Sequence, residues 1–324
     1  MRVVLPQPGL PGPAGAAGAG RPGRTPVRGG PGGAKQGGAG DQRHPVRRVG
    51  PGPSHGGHAS GQPPGDLQRE RVKHTPESAV QPLQDLLEQV AADGVVSLGG
   101  DSVIDGCTAA LHGIGTTGRS HIAVPTTLSG AEFTPSAGVI DSESHRKRGL
   151  RDPDAAPRVV LLDPEVTLAT PERLWLSTGI RALDHAVETI WAPERDALAS
   201  WLSLEAIRRL RNSLPECRDR PQDVEAHQGA QVAAWWAALG LAGSTMGPSH
   251  QLGRILGASF EIRHGITSCV FLPATIRHMD ATRRELIAPL AEPFRARSGS
   301  GVGDVCQDLV AGLGLPVSLS EAGL

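Results

Sequence analysis

The chain has no tyrosine and only four phenylalanines, so Leu, Val, Ala and five tryptophans must build any core. Its four cysteines (Cys107, Cys217, Cys269, Cys306) lie far apart and form no CxxC pair, which gives no thiol motif for a metal or redox site. Isolated thiols fit a reducing cytoplasm better than a disulfide framework, and a cytoplasmic location is expected. No apolar run approaches the ~18 residues needed to span a membrane, and Arg2-Val3-Val4-Leu5 is too short for a signal-peptide core. Charge of one sign is also lacking: 32 Lys and Arg face 33 Asp and Glu, a net charge of −1. A general polyanion binder is thereby excluded, and neither nucleic acid nor membrane is expected as a partner.

What is there divides unevenly. At 324 residues the chain can hold two ordinary domains. Residues 1–66, however, contain 19 Gly and 12 Pro, with eight Arg or Lys against Asp41 and Asp66. Such a segment cannot bury enough apolar surface to offset its ordering entropy, so residues 1–71 are expected to be a disordered arm. Three accounts of it stay open: a flexible basic tail, an anionic-surface arm, or GC-rich DNA translated out of frame. No aromatic is interleaved for base stacking, which disfavours the second.

From Val72 the pattern becomes structural. Val80, Leu83, Leu86, Leu87 and Val90 line one face of a helix over 76–92, with Thr75 as its cap and Pro76 in its first turn. A short buried strand over 94–98 ends at Gly99-Gly100, and a helix follows over 102–111. Further strands are expected at 121–125 and 159–163. Strands alternating with helices predict a parallel α/β sheet over 72–164. From Pro171 no strand-like alternation returns: helices are expected over 171–191, 195–214 and 224–241. The region 165–324 is therefore a helical domain, with the boundary near Asp163-Pro164.

Two loops and a histidine set carry the chemistry. Gly99-Gly100-Asp101-Ser102 joins a strand to a helix, where glycines let backbone amides approach a diphosphate and the helix N-terminus favours negative charge. Many strand–helix junctions use such a turn only to turn. Thr126, Thr127 and Ser129, in Pro125-Thr126-Thr127-Leu128-Ser129-Gly130-Ala131-Glu132, offer hydroxyls to phosphate or ribose, or merely to their own backbone. Arg181 and His185 lie four apart on one helical face in Gly179-Ile180-Arg181-Ala182-Leu183-Asp184-His185-Ala186-Val187-Glu188. Asp184, about 100° round the helix from His185, is expected to pair with Arg181. His250 and His264-Gly265 follow. His112, His121, His145, His227 and His278 are expected at the surface.

These motifs resemble the iron-containing alcohol dehydrogenase family, which includes the maleylacetate reductases. The matching patterns are the family's GGGSxxD and PTTxxGSExT loops, its GxDALxHAxE helix and its HxxxHxLG…PHG segment. Over 72–322 the resemblance implies a dehydroquinate synthase-like architecture: an N-terminal α/β dinucleotide-binding domain, here with an incomplete parallel sheet, and an all-α C-terminal domain. It implies NAD or NADP across Gly99, Gly100, Asp101, Ser102, Thr126, Thr127 and Ser129, a small-molecule substrate beside the histidines, and a homodimer. The family's first strands have no counterpart in 1–71, and its last helices none after Leu324.

The resemblance also gives His185, His250 and His264 as ligands of a divalent ion, but the family's Asp ligand reads Arg181 and a nearby histidine reads Arg254. Two readings follow. In one, Fe²⁺ or Zn²⁺ sits on the three histidines as a Lewis acid. A cation ~5 Å away opposes this by roughly 3 kcal/mol per unit charge at an effective dielectric of ~20. In the other, Arg181 and Arg254 grip the carboxylates of a dicarboxylate in bidentate fashion, a histidine supplies the proton, and no metal is used. The function so implied is an NAD(P)-dependent oxidoreductase of the maleylacetate reductase kind. A dehydroquinate synthase-like lyase and an inactive truncated relative remain as alternatives.

Overall fold

A computed structural model describes residues 3–6, 75, 77–140, 147–242, 244–260, 262–297 and 301–323. Most of the expected 1–71 arm, together with Pro76 and His145, lies outside these. The exception is a difference from expectation: Val3–Pro6 forms a strand, β1.

Helix α1 (Glu77–Gln89) leads into β2 (Gly94–Gly99), α2 (Asp101–Ile114) and β3 (Ser120–Pro125). A hairpin of β4 (Ser136–Ile140) and β5 (Lys147–Arg151) intervenes before β6 (Val159–Leu162). The main sheet has the order β1-β6-β3-β2. β2, β3 and β6 run parallel, as the alternation of strands and helices predicts, and β1 is an antiparallel edge that pairs Val3 with Leu162 and Pro6 with Val159. A Pro at the end of an edge strand removes no donor the sheet needs.

β2 departs from the buried strand expected. Ser97 is its one fully buried residue, whereas Val96 is 51% and Leu98 56% exposed. Side chains alternate across a strand, so only the Ser97 face is covered, by α2 and His121. Thr75 also departs from its expected capping role: its hydroxyl donates to the Ser102 carbonyl at 2.9 Å, tying the approach of α1 to the start of α2.

After a short turn of helix, α3 (Pro164–Thr167), the helical region consists of α4 (Glu172–Trp191), α5 (Ala197–Asp219), α6 (Val224–Leu241), α7 (Pro248–Phe260) and α8 (His264–Thr282). The shorter α9 (Arg284–Ile287), α10 (Ala291–Phe294) and α11 (Val302–Gly312) follow. Among the described residues no strand occurs after β6. α5 runs five residues past the expected end at Leu214, through Pro215. The proline forfeits one helical hydrogen bond, and burial of Leu210, Leu214 and Cys217 on the same face offsets that loss.

α4 is the axis of this region. Every residue from Trp175 to Trp191 is buried, with Ile180, Leu183, Val187 and Ile190 packed among Ile207, Leu210, Ala230, Ala233, Leu272 and Ile276 of its neighbours. A helix covered on all sides is normally apolar throughout. This one instead carries Arg181, Asp184, His185 and Glu188 at i, i+3, i+4 and i+7, a polar stripe in a helix with no solvent face.

Candidate functional site

The glycine turn and the hydroxyl loop lie side by side. Thr126 donates its amide to the Gly99 carbonyl at 2.9 Å, and a Cβ on Gly100 would come within 2.9 Å of Thr127 Cγ2. The backbone at Gly99-Gly100 is therefore bare because no side chain fits. Gly100 supplies no side-chain cap to α2, so the first turn of a fourteen-residue helix has amides open to an anion. Two of these are taken: Ser102 donates its amide to Asp101 Oδ1 at 3.0 Å, and Val103 donates its amide to the Gly100 carbonyl at 3.1 Å. Thr127 Oγ1 donates to Ser129 Oγ at 3.2 Å, Thr170 donates to the Thr126 carbonyl, and the Leu128 amide donates to Thr178 Oγ1. The loop is thus tied to the start of α4.

Gly130 brings the two halves of the predicted site together. It is left-handed (φ 79°), and a Cβ there would lie 3.9 Å from His185 Nδ1. The hydroxyl loop therefore passes directly beside His185. Next to it Glu132 is buried, and burial with the nearby Asp101 and Asp105 carboxylates pushes it up to about 8.

The rings of His185 and His250 are stacked with centroids 5.3 Å apart. Arg181 Nη2 donates to His250 Nε2, and Nη1 donates to Ser268 Oγ at 3.0 Å. Ser268 in turn donates to Asp184 Oδ2 at 2.7 Å, as does Ser249 at 3.0 Å. Arg181 and Asp184 form the expected ion pair at 3.6 Å. Burial pushes the Asp184 carboxyl up, and the guanidinium and the two hydroxyls pull it back. Glu188 accepts the backbone amides of Gly247 and His250 at 2.9 and 3.1 Å, and burial with the Asp184 charge raises it to about 8. Burial, then Arg181, drives His185 and His250 well below the ordinary imidazole range, so both are neutral.

His264 begins α8, half-buried, and a Cβ on Gly257 would be only 3.2 Å from its Nδ1. Arg254 lies one turn beyond His250 on α7 and is exposed. Glu188, Ser249 and Ser268 belong to the cluster although sequence reasoning gave them no role. The spacing does signal Glu188, three residues after His185 and seven after Arg181.

His121 and His227 correct the expectation of surface histidines. His121 is 1% exposed, with Nε2 2.8 Å from Ser97 Oγ. His227 is buried, stacked on Trp175 at 4.5 Å and hydrogen-bonded to Thr167. His112 is exposed and paired with Asp152, and His278 is exposed.

The residues do not fit a divalent ion. A guanidinium holds the His250 Nε2 lone pair that a metal would need, and Arg181 stands at the position of the anionic ligand. Among the described residues no three His, Cys, Asp or Glu side chains are arranged to hold an ion. A cavity of about 990 Å³ lies off the cluster, past Gly247, and is lined mainly by apolar groups such as Trp191, Met246 and Phe271. It contains none of the predicted site residues.

The order of these elements is that of a known family. Residues 67–164 match the model for iron-containing alcohol dehydrogenase, and residues 175–324 match that for the C-terminal region of the Fe-containing alcohol dehydrogenase family. The chain belongs to the iron-containing alcohol dehydrogenase family. It is 35% identical over 252 residues to a maleylacetate reductase of Rhizobium sp. (strain MTP-10005), covering 78% of this chain and 69% of that protein. The crystal structure of maleylacetate reductase from Agrobacterium tumefaciens superposes with a TM-score of 0.71 at 33% identity, over 79% of this chain and 70% of that one. A putative alcohol dehydrogenase from Ralstonia eutropha JMP134 gives a TM-score of 0.73 at 30% identity, over 78% and 70%. The architecture is that of the family, with an N-terminal α/β region and a helical C-terminal region. The chain is an NAD(P)-dependent oxidoreductase of this type, and the lyase alternative is not favoured. Among the described residues no helix is long and apolar enough to cross a membrane.

Proposed function

We propose that this chain reduces an unsaturated oxo dicarboxylate of the maleylacetate kind, using NADH or NADPH and no metal ion. The observation that carries the reading is the guanidinium of Arg181 seated on His250 Nε2 where the family pattern has an anionic ligand. A fixed cation there does the work of a Lewis acid, stabilising negative charge on a substrate oxygen as it develops. Arg254, on the same face of α7 as His250 and exposed, is the second cation. Two guanidiniums match two carboxylates, or a carboxylate and an oxo group, with the bidentate geometry a planar fork allows.

The bare backbone of Gly99-Gly100, the first turn of α2 and the hydroxyls of Thr126, Thr127 and Ser129 are the groups that would hold the dinucleotide diphosphate and ribose. The nicotinamide supplies the hydride. The substrate accepts it at the C=C carbon β to the oxo group, and the electron pair moves onto the oxo oxygen as an enolate. Arg181 faces that charge, and the α carbon then takes a proton from a histidine or a bound water. Burial of Asp184 and Glu188 keeps the cluster dry and the guanidinium fixed. The maleylacetate reductases at 31–35% identity support the substrate class.

Titration of the full-length chain with NADH and with NADPH, followed by tryptophan fluorescence, tests the reading when combined with maleylacetate turnover before and after chelator treatment. Saturable quenching and chelator-resistant turnover are expected. Turnover abolished by the chelator and restored by Fe²⁺ or Zn²⁺ would overturn the metal-free reading, and no nucleotide binding by the folded chain would overturn the whole.

A further inference from the structure

Of the three histidines that converge on the site, one is chemically different. We propose that His250 is a positioning residue that holds Arg181 through the Nε2 lone pair and donates no proton to substrate. The inference rests on the reading above for its substrate class, but its geometry is independent of it. A guanidinium has five N–H donors and no acceptor. The contact between Arg181 Nη2 and His250 Nε2 therefore requires that Nε2 carry the lone pair. An imidazole whose Nε2 holds a lone pair carries its single N–H on the other nitrogen, Nδ1. That nitrogen lies 4.0 Å from Glu188 Oε2 and has no hydrogen-bond partner of its own. The only proton of His250 thus faces Glu188, deep in the helical core, while its free electron pair is committed to Arg181.

The surroundings hold this arrangement from both ends. Glu188 fixes the first turn of α7 by accepting the His250 and Gly247 amides. A Cβ on Gly247 would come within 2.7 Å of Glu188 Oε1, so the approach depends on glycine. At the other end Ser268 bridges Arg181 to Asp184. Arg181 is thereby gripped at one amino group by Ser268 and Asp184 and at the other by His250, and its orientation is set before substrate arrives, which is how a positioned cation avoids reorganisation cost. Protonation of the substrate carbon falls to His264 or water.

The tautomer can be read directly. In the full chain labelled with ¹⁵N-histidine, long-range ¹H–¹⁵N correlations, assigned by loss of signal in His250→Gln, are expected to show the Nδ1–H form between about pH 6 and pH 9. An Nε2–H tautomer or an imidazolium in that range overturns the proposal. Function gives a second readout. The Gln carboxamide oxygen can accept near the Nε2 position, so His250→Gln is expected to bind malonate within about threefold of the parent chain, whereas His250→Phe loses about tenfold. If both variants instead bind malonate normally, and both lose kcat together with one limb of the pH profile at unchanged KM, His250 is the acid and the proposal fails. If the parent chain turns over no oxo acid, the substrate reading fails, and the tautomer measurement still decides the role of His250.

Discussion

The Asp101 carboxylate accepts the Ser102 amide hydrogen at 3.0 Å, so an anion of the protein already occupies the mouth of the turn that should hold a diphosphate. The glycine the family pattern has at this position would leave that amide free. Nucleotide binding must displace Asp101 or coexist with its charge.

Asp101→Gly is therefore expected to tighten NADH or NADPH binding by about three- to tenfold. The lower end corresponds to a screened surface repulsion, since Asp101 is exposed. Fluorescence titration at low and high salt measures it. The gain should shrink with salt, and unchanged or weaker binding at low salt would show that Asp101 does not oppose the diphosphate.

Arg254 is exposed on α7, so removing it should leave folding intact while weakening the grip on one carboxylate. Arg254→Ala is expected to raise KM for maleylacetate about tenfold, more than it lowers kcat, because binding in ground and transition states falls together. A monocarboxylate analogue should show a much smaller effect. An equal effect on both substrates would assign Arg254 elsewhere, for instance to the nucleotide.

Glu132 and His121 give stability opposite dependences on pH. Glu132 is raised from 4.5 to about 8, so between those values the native state keeps a proton that the unfolded chain has lost. Stability falls as pH rises through that window, by at most about 1.4 kcal/mol per pH unit. His121 is lowered from 6.5 to about 4 by burial, so stability also falls as pH drops from 6.5 toward 4. Glu132→Gln should remove the downward slope of the denaturant midpoint between pH 4.5 and about 8, and His121→Gln should remove the loss of stability between pH 6.5 and about 4. An unaltered slope in either variant would show that the group does not titrate as its burial implies.

At the head of α8 the contact is backbone against backbone. A Cβ on Gly265 would lie 2.7 Å from the Ser177 carbonyl oxygen and 2.8 Å from its carbon, and neither atom can swing aside. Gly265→Ala is expected to cost about 2 kcal/mol of stability and to displace His264 from the cluster. Thermal unfolding gives the first effect, and loss of kcat at saturating cofactor gives the second.

Much of this was legible in the sequence because periodicity and position coincided. The run over 171–191 has the length of a helix, and Arg181 with His185 must share a face of it. The Gly99-Gly100 turn follows an apolar run and precedes a helical one, which places it at a strand–helix junction whatever the family. The β4–β5 hairpin was not legible: Ser136–Ile140 and Lys147–Arg151 show no clean apolar alternation, because much of the hairpin faces solvent. His121 and His227 were misplaced since a lone histidine carries no sign of its neighbours; Ser97, Thr167 and Trp175 satisfy them across 24 to 60 residues of chain. The fate of Arg181 was half legible. Its pairing with Asp184 follows from helical spacing, but the bond to His250 depends on how α7 docks.

The covered state of α4 has a final consequence. Arg181, Asp184, His185 and Glu188 all sit on a helix with no residue open to solvent between Trp175 and Trp191, so the site cannot loosen by local fraying. Its amides should be among the last to exchange with deuterium, opening only when the whole helical region opens. Heat inactivation and global melting should then coincide, with no temperature range in which the chain is folded but chemically silent.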